Sequence, residues 1–373
     1  MRLVQRVLQN LEERRQKVLN GGINCIPSPL RGLLGGFPGV EQAKYYLVSG
    51  ASKSAKTRLT NFLFLYTPIM YAYYHPEQVR VKIFYFPLEE TPEEIVTRFM
   101  CYLLYVFSDM KIRISPLDLS STNADRVVDK KILEILDSIE YRSILDFFED
   151  HVHFIQERNP TAVWKTLNNY AMEAGTIHRK TIVIENKETG IRQEKEVFDY
   201  YEPKDPDEYV EIIIDHISLV EVERGMTKKE AMDKLSEYCT ILRNKYHYIP
   251  VVVQQQNIES IGLDAVKLNR IRPTKSGLLD TKRTGDDTSL MFGITNPFSF
   301  DRPEYLKYDI TRLKGYARFL EIVLNRTGSA NDLLALYFDG ATNYFTPLPS
   351  ANNLEALQKV YDLVQRNERS NPN

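Results

Sequence analysis

The feature that most constrains the fold is a short loop between a predicted strand and a predicted helix. Residues 50–57 read Gly-Ala-Ser-Lys-Ser-Ala-Lys-Thr, which departs at one position from the phosphate-binding pattern G-x-x-x-x-G-K-[ST]. The strand is predicted over 45–48 and the helix from residue 58 to about residue 71. In this setting the backbone N–H groups of the loop can surround a phosphate, and the helix dipole strengthens the attraction. The pattern therefore predicts a phosphate site within an α/β domain.

Two side chains of this loop are expected to contact the nucleotide and its metal ion. Lys56 is placed to reach the β- and γ-phosphates of ATP, and the Thr57 hydroxyl is placed to hold Mg²⁺. Ala55 replaces the last glycine of the pattern, and we expect this position to enter the helix, where a methyl group is tolerated. The alternative is a chance Lys-Thr pair at the start of a helix. The candidate nucleotide-binding residues are Gly50, Ala51, Ser52, Lys53, Ser54, Ala55, Lys56 and Thr57.

Composition narrows the class of protein. The chain has 373 residues, of which 43% are hydrophobic and 26% are charged, so it can bury a large core without disulfides. Its net charge of -2 excludes a histone-like polycation but leaves room for a local basic channel that binds nucleic acid. The three cysteines, Cys25, Cys101 and Cys239, are far apart and predict a reducing compartment. No apolar run is long enough to cross a membrane, and the N-terminus lacks the apolar segment of a secretory signal.

Segments of strand and helix character alternate along the chain, which indicates a mostly parallel sheet covered by helices on both faces. Further strands are predicted at 79–86, 209–214, 249–254, 290–295, 319–324 and 333–338, and further helices at 92–107, 125–139, 141–149, 161–174, 228–245 and 354–365. Strand-like segments at 180–185 and 195–201, separated by a turn, predict a β-hairpin. An amphipathic helix over 1–20 is either packed on the domain or an arm that docks on another subunit.

Polar side chains follow three of the predicted strands. Asp215 ends a very apolar strand and can hold Mg²⁺ beside the loop, although many strands end in Asp. Glu89 and Glu90 follow another strand, where a carboxylate can activate the attacking water. Alternatively, this acid pair stabilises the start of the next helix through its dipole. The amides at 254–257 can contact a γ-phosphate, or they are the polar start of a loop.

In this order, the segments resemble the RecA-like ATPase domain of hexameric replicative helicases of the DnaB type. The stretch 33–39 is similar to the glycine-rich entry to the family's phosphate loop. The other matching segments are 87–90 for its Ser-Leu-Glu-Met, 215–218 for its Asp-Tyr-Leu-Gln, 254–257 for its Ser-Gln-Leu-Asn, 276–289 for its acidic loop, and 324–328 for its Lys-x-Arg-Asn-Gly. The resemblance covers about residues 21–348.

The resemblance implies a role for each matched residue in the cleavage of ATP. Glu89 corresponds to the catalytic glutamate, Gln255 to the sensor of the γ-phosphate, and Asp287 to the aspartate of the acidic loop. The implied catalytic set is Glu89, Lys56, Gln255 and Arg326, and the implied Mg²⁺ ligands are Thr57 and Asp215.

The last matching segment concerns the neighbouring subunit. Arg326 corresponds to an arginine finger that acts in trans on the ATP of the neighbour. Leu324 stands where the family has a lysine, so one of two positive contacts to the transition state is missing.

The resemblance also implies an architecture. It is an α/β fold with a RecA-like P-loop core, a mostly parallel central sheet, an N-terminal linker helix and a β-hairpin insertion. We expect a helix and possible docking arm at 1–22, the ATPase domain at 23–348 with the hairpin at about 180–201, and a C-terminal helix and tail at 349–373. No globular domain is expected before the ATPase domain, so the primase-interaction module of the family is expected to be absent.

The implied protein is a cytoplasmic replication helicase, in a bacterial cell or in the host of a phage. It uses ATP and Mg²⁺, forms a homo-oligomeric ring that is expected to be hexameric, and translocates on single-stranded DNA. A primase or a helicase loader is left open as a further partner.

We call the predicted strand 249–254, which runs into Gln255, the sensor strand. A cluster of cations between it and the following strand, 290–295, is the candidate contact for DNA. Its members are Lys267, Arg270, Arg272, Lys275, Lys282 and Arg283, in a chain that is otherwise neutral. In a ring that threads a single strand, such a loop holds phosphates on the inner wall. The alternative is a solvated surface loop, which is the common role of a charged stretch.

Two other functions fit parts of the sequence. A RecA/RadA-like recombinase shares the ATPase site and the use of single-stranded DNA, but it forms filaments instead of rings. A non-catalytic DNA-binding or scaffold protein with a degenerate ATPase fold is favoured by Ala55 and Leu324, the two departures from the family's pattern.

Overall fold

The computed structural model of the chain describes residues 3–33, 35–185, 192–257, 271–330 and 332–370. The strands are β1 (Ile26–Pro27), β2 (Gly39–Val40), β3 (Tyr46–Gly50), β4 (Arg80–Pro87), β5 (Val152–Phe154), β6 (Gly175–Glu185), β7 (Arg192–Pro203), β8 (Glu208–Asp215), β9 (Ile249–Gln255), β10 (Leu290–Thr295), β11 (Glu304–Tyr305), β12 (Tyr308–Asp309), β13 (Ala317–Asn325), β14 (Leu333–Asp339) and β15 (Tyr344–Pro347).

The α-helices within these ranges are α1 (Leu3–Leu19), α2 (Lys56–Asn61), α3 (Thr67–Tyr74), α4 (Pro92–Phe107), α5 (Pro116–Leu119), α6 (Lys130–Leu136), α7 (Ile139–His151), α8 (Pro160–Ala174), α9 (Lys228–Tyr246), α10 (Arg283–Asp287), α11 (Ile310–Leu313) and α12 (Leu354–Ser370). A π-helical stretch, Phe62–Tyr66, joins α2 to α3. Among the helices described here, none is both long and apolar enough to span a membrane.

A nine-stranded sheet forms the centre of the molecule, in the order β15-β14-β13-β10-β3-β9-β8-β4-β5. The six strands from β10 to β5 run parallel to one another. The three strands β13, β14 and β15 continue the sheet in antiparallel fashion beyond β10. The predicted α/β fold with a mostly parallel sheet is therefore confirmed.

The apolar strands dictate this arrangement because they must be covered on both faces. Every residue of β3 is buried, and so are seven of the eight residues of β8 and six of the seven of β9. Such near-continuous apolar runs are typical of parallel strands between two layers of helices. One face packs against the α2–α4 segment and α7, whereas the other packs against α8 and α9.

Capping residues explain where the helices begin. Thr91 caps α4 and forms a capping box with Glu94, so this helix begins at Pro92 as predicted. The helix predicted over 125–139 is shorter, because Asp129 caps α6 and the residues before it form a separate turn, Ala124–Arg126. Likewise, α2 begins at Lys56, two residues earlier than the sequence pattern indicated.

The predicted β-hairpin is formed by β6 and β7, which pair from Gly175↔Pro203 to Glu185↔Arg192. Tyr201 at its base is buried against the domain, whereas most of its distal side chains are exposed. The hairpin therefore projects from the domain as an insertion.

The two terminal helices contact the domain differently. In α1, the apolar side chains of Val7, Leu8 and Leu11 are exposed, and Lys17 forms an ion pair with Asp207. In contrast, α12 buries an apolar side against the antiparallel part of the molecule, through Leu357, Tyr361 and Val364. The predicted N-terminal helix is thus present, with an unpartnered apolar side.

Candidate nucleotide-binding site

The carboxyl ends of β3, β9, β8 and β4 meet at one edge of the sheet. Gly50 at the end of β3 lies opposite Gln255 of β9, and Asp215 at the end of β8 lies opposite Pro87 of β4. Because side chains alternate between the faces of a strand, Asp215 and Gln255 share the face that α2 covers. The residues that sequence patterns assigned to one site are therefore brought together by the topology.

The loop itself is tightly packed at its first residue. A Cβ atom at Gly50 would lie 2.4 Å from the carbonyl oxygen of Ile294 and 2.5 Å from Ser54 Oγ. A side chain would therefore displace either β10 or the loop, which explains the glycine at this position.

The expectation for Ala55 was wrong. This residue does not enter the helix but precedes it with φ 77° and ψ 35°, the left-handed conformation. Lys53 also has a positive φ of 61°, and its side chain is exposed. The chain must reverse direction between β3 and α2, and this turn needs a backbone conformation that glycine adopts most easily. Ala55 adopts it despite its methyl group.

Lys56 is folded over the loop. Its side chain is only 8% exposed, and Nζ donates a hydrogen bond of 2.9 Å to the carbonyl oxygen of Ala51. Burial lowers the pKa of Lys56, an effect that the nearby carboxylates of Asp215 and Glu89 oppose. The ammonium group is therefore held inside the loop, where it can contact a bound phosphate.

Thr57 and Asp215 form the pair that could hold a cation. The Thr57 hydroxyl donates to Asp215 Oδ1 over 3.1 Å, and Asp215 Oδ2 lies 3.2 Å from the Tyr85 hydroxyl. Burial raises the pKa of Asp215 to about 7. Hydroxyl and carboxylate oxygens are the ligands that Mg²⁺ prefers, and a cation would stabilise this buried carboxylate. The residues present therefore fit Mg²⁺.

The two acids after β4 have different surroundings. The Glu89 side chain is 53% exposed, and its Oε2 lies 3.6 Å from Nε2 of the buried His216. In contrast, Glu90 forms ion pairs with Arg58 at 3.4 Å and with Arg98 at 3.1 Å. Glu89 is thus the acid whose charge acts on Lys56 of the loop, whereas Glu90 is held in an ion-pair cluster.

Of the three glutamines at the end of β9, residues 254–256, the middle one is available for a ligand. Gln254 is buried and bonds to Leu279, Thr281 and Thr284, whereas the buried Gln256 bonds to Ser49 and Thr274. These bonds hold the segment after residue 271 against β9 and the loop.

Gln255, on the opposite side of the strand, is partly exposed, and no described residue bonds to its side chain. The structure therefore separates one available amide from two that hold neighbouring segments in position.

The candidate DNA contacts divide into two groups. Lys267 and Arg270 lie outside the described residues. Each of the other four has an intramolecular partner: Arg272 pairs with Glu321, Lys275 with Asp286, Lys282 with the carbonyl oxygen of Leu278, and Arg283 with Asp287 and Glu237. In this conformation these four cations are engaged in contacts within the chain.

Arg326 lies far from the loop of its own subunit. It follows β13, whose last residue Asn325 is opposite Leu290, and Leu290 is in turn opposite Tyr46 at the start of β3. Arg326 is therefore beyond the amino ends of the parallel strands, whereas the loop follows their carboxyl ends. Its Nε donates to the carbonyl oxygen of Thr288 over 2.8 Å, and its side chain is exposed.

Asp287, matched to the family's loop aspartate, lies in a structural network at the end of α10. One of its carboxylate oxygens accepts a hydrogen bond of 2.8 Å from Ser236 and lies 3.3 Å from Nε of Arg283. Its carbonyl oxygen accepts a bond from Arg243. These contacts join α10 to α9.

Sequence reasoning missed two residues that touch the loop. Arg318, at the start of β13, donates from Nε to the carbonyl oxygen of Ser54 over 3.0 Å. Asn296, just after β10, donates to the carbonyl oxygen of Lys53 over 3.3 Å. For Arg318 a signal exists in the sequence, because it is the one basic residue in a mostly apolar strand.

Comparisons with known proteins identify the fold. One solved structure, an ATPase domain, matches 93% of this chain and 99% of its own chain, with a TM-score of 0.61 and 13% sequence identity. A second solved structure, of a DnaB-like replicative helicase and its interactions with primase, matches 93% of this chain and 67% of its own, with a TM-score of 0.58 and 12% identity. No protein-family model and no curated protein matches the sequence. The chain therefore has the fold of DnaB-like helicase ATPase domains, as its sequence pattern predicted.

Proposed function

We propose that this protein is an ATP- and Mg²⁺-dependent DNA helicase of the DnaB-like type, which translocates on single-stranded DNA as a ring during replication. The observation that carries the proposal is the convergence of Lys56, the Thr57–Asp215 pair, Glu89 and Gln255 beside one loop. These are the groups needed to bind the phosphates, activate water and respond to the γ-phosphate. The fold shared with a solved ATPase domain and with a DnaB-like replicative helicase supports the same conclusion.

In the proposed mechanism, the loop N–H groups and Lys56 bind the phosphates of ATP. Lys56 already lies inside the loop, so it needs to exchange only the Ala51 carbonyl for a phosphate oxygen. Thr57 and Asp215 would hold Mg²⁺, which neutralises charge on the phosphates. Asp215 must be deprotonated for this role, and its pKa of about 7 in the absence of a cation allows this at neutral pH.

Glu89 is the proposed general base. It is partly exposed beside the loop, so a water molecule can reach both its carboxylate and a bound γ-phosphate. The neighbouring acid, Glu90, is instead engaged in ion pairs with Arg58 and Arg98. Gln255 is proposed to contact the γ-phosphate or the attacking water, because its amide is free of bonds to the described residues.

Arg326 is proposed to act on the ATP of a neighbouring subunit. Its position at the amino-terminal edge of the sheet excludes contact with the subunit's own loop, whereas an exposed cation at that edge can enter a neighbour's site. A ring, which we propose to be hexameric, would give each loop such a neighbour. The exposed apolar side of α1 supports a role as a docking arm between subunits.

Single-stranded DNA is the proposed polymer substrate. Arg272, Lys275, Lys282 and Arg283 would exchange their present partners for DNA phosphates, and Lys267 and Arg270 are proposed to join them. This segment is attached to the sensor strand by Gln254 and Gln256, so changes at the γ-phosphate can be transmitted to it. A primase is a further proposed partner, suggested by the DnaB-like structure reported with its primase interactions. The free cysteines support the proposed cytoplasmic location.

A strand-displacement assay tests the proposal. The substrate is a forked DNA duplex with a fluorescent strand, incubated with the protein, ATP and Mg²⁺. We expect the wild-type protein to release the labelled strand, and a folded Lys56→Ala variant not to release it. Pairing of a homologous duplex with the single strand in place of displacement would indicate a recombinase. No binding of ATP by either protein would indicate a non-catalytic scaffold.

A further inference from the structure

Arg318 carries a positive charge in the interior of the domain. Its side chain is 5% exposed, and no carboxylate of the described ranges lies within ion-pair distance of its guanidinium group. Burial lowers the pKa of Arg318 to about 9. A lone charge in the protein interior is unfavourable unless another group compensates for it, so its presence calls for an explanation.

The contacts of Arg318 hold the guanidinium group in one orientation against the phosphate loop. Nε donates to the carbonyl oxygen of Ser54 over 3.0 Å. Nη1 donates to the carbonyl oxygens of Gly315 over 2.7 Å and of Ala317 over 2.8 Å. The group also lies over the ring of Phe338, 4.9 Å from its centroid. Three bonds and a ring contact leave the guanidinium little freedom to rotate.

The bond to Ser54 determines the direction of the next N–H group. In a planar trans peptide, the carbonyl oxygen and the amide hydrogen point in opposite directions. Because the oxygen of Ser54 points toward the Arg318 guanidinium, the N–H of Ala55 points away from it. Asn296 holds the preceding carbonyl, that of Lys53, from the neighbouring strand β10.

Ala55 makes this external support more important. Its φ of 77° is unfavourable for a residue with a side chain, so the conformation needs contacts from outside the loop to persist. The Arg318 bond acts on the peptide group that precedes Ala55. The buried arginine therefore supports the loop at the position where alanine replaces the usual glycine.

We propose that Arg318 is a positioning residue for nucleotide binding, which orients the Ser54–Ala55 peptide so that its N–H group can bind a phosphate. This inference rests on the proposed function only in requiring that the loop binds a nucleotide. It assigns a ligand-dependent role to a residue at the start of β13, the strand that ends just before Arg326.

Binding of a fluorescent ATP analogue, measured with the thermal unfolding of each unliganded protein, tests the inference. We expect Arg318→Met, which keeps an apolar stem over Phe338, to weaken nucleotide binding by about tenfold or more. Arg318→Lys keeps the positive charge, but a single ammonium group cannot reach the carbonyls of Ser54, Gly315 and Ala317 together. We therefore expect about a threefold to tenfold loss of nucleotide affinity. Both losses should appear without a matching fall in the unfolding temperature.

Arg80→Met is the matched control. Arg80 begins β4 at the opposite edge of the sheet and pairs with Asp205, so its loss should lower the unfolding temperature and leave nucleotide affinity within about twofold. Wild-type affinity in folded Arg318→Met would overturn the inference, and so would an affinity loss in Arg80→Met equal to that in Arg318→Met. If Arg318→Met does not fold, wild-type affinity in Arg318→Lys overturns it. Failure of the wild-type protein itself to bind would instead contradict the proposed function.

Discussion

Ala55 has a backbone conformation that its side chain disfavours. The sign of the change in unfolding free energy on substitution by glycine tests this. Left-handed φ values cost about 1–2 kcal/mol for residues other than glycine, and glycine loses about 0.4–1 kcal/mol through unfolded-state entropy. We therefore expect Ala55→Gly to raise the free energy of unfolding by about 0.5–1 kcal/mol in denaturant titrations.

Ala51→Gly in the same loop is the control. Ala51 does not have a positive φ, so glycine there should lower the free energy of unfolding. A decrease for Ala55→Gly as well would mean that residue 55 is helical in solution, as its sequence pattern alone indicates.

Glu211 should make the stability of the protein depend on pH. It is fully buried in β8, and neither carboxylate oxygen bonds to any residue in the described part of the chain. Burial raises the pKa of Glu211 well above its ordinary value of 4.5, so the folded protein keeps a proton that the unfolded chain releases. The resulting stability is full below pH 4.5 and is lost as the pH rises toward the folded-state pKa.

Glu211→Met removes this dependence. Its free energy of unfolding should exceed that of the wild type by a margin that grows as the pH rises above 4.5, by up to about 1.4 kcal/mol per pH unit. Guanidinium titrations at several pH values measure the margin, and exposed Glu194→Met serves as the control. Parallel pH profiles for Glu211→Met and the wild type would contradict the burial of a protonated acid.

At the residue scale, the sequence predicted which residues lie near the loop better than it predicted their backbone conformations. Lys56, Asp215 and Gln255 could be predicted to lie at one sheet edge because of their spacing relative to apolar strands, and the structure places them there. The left-handed Ala55 could not be predicted, because the pattern does not encode φ. The contact of Arg318 with the loop was missed because it joins residues 264 positions apart, and only the sheet order brings them together.

Among the elements, the hairpin β6–β7 should be dispensable for folding. The side chains of residues 180–184 and 192–196 are exposed, whereas Tyr201 and Phe198 near its base contact the domain. Replacing residues 180–197 by Asn-Gly joins Arg179 to Phe198, which are paired across the two strands, with a turn suited to hairpins. We expect the unfolding temperature to stay within about 3 °C of wild type, since little apolar area is lost. Aggregation or a fall of more than about 10 °C would show that the distal hairpin is part of the core.

Element boundaries were predictable where local chemistry fixes them. Residues 92–107 were predicted as a helix, and α4 has these bounds because Thr91 and Pro92 mark its start in the sequence. The strand predicted at 319–324 is longer in the structure, since β13 begins at Ala317 and includes the buried Arg318. Its extent is set by pairing with β10 and β14, which a local pattern does not contain.

For the whole molecule, the separation of Arg326 from its own loop predicts sites shared between subunits. Arg326→Ala and Glu89→Gln should each lower ATP turnover severely in uniform assemblies, because one removes the donated cation and the other the general base. Mixed assemblies should regain part of the activity, since some interfaces pair an intact Glu89 with an intact Arg326. Phosphate release measures turnover, and mass measurement of the assemblies checks mixing. Mixed rings without recovered activity would show that Arg326 does not act across the interface.

The central claim is that this chain couples ATP cleavage at the loop to single-stranded DNA. The most direct measurement is the rate of phosphate release with and without single-stranded DNA, for the wild type, Glu89→Gln and Glu90→Gln. We expect DNA-stimulated release by the wild type and a loss of about 100-fold or more in Glu89→Gln, which should still bind ATP. Glu90→Gln should keep most of the activity, because Glu90 pairs with Arg58 and Arg98. Equal rates in Glu89→Gln and the wild type, or no response of the wild type to DNA, would contradict the claim.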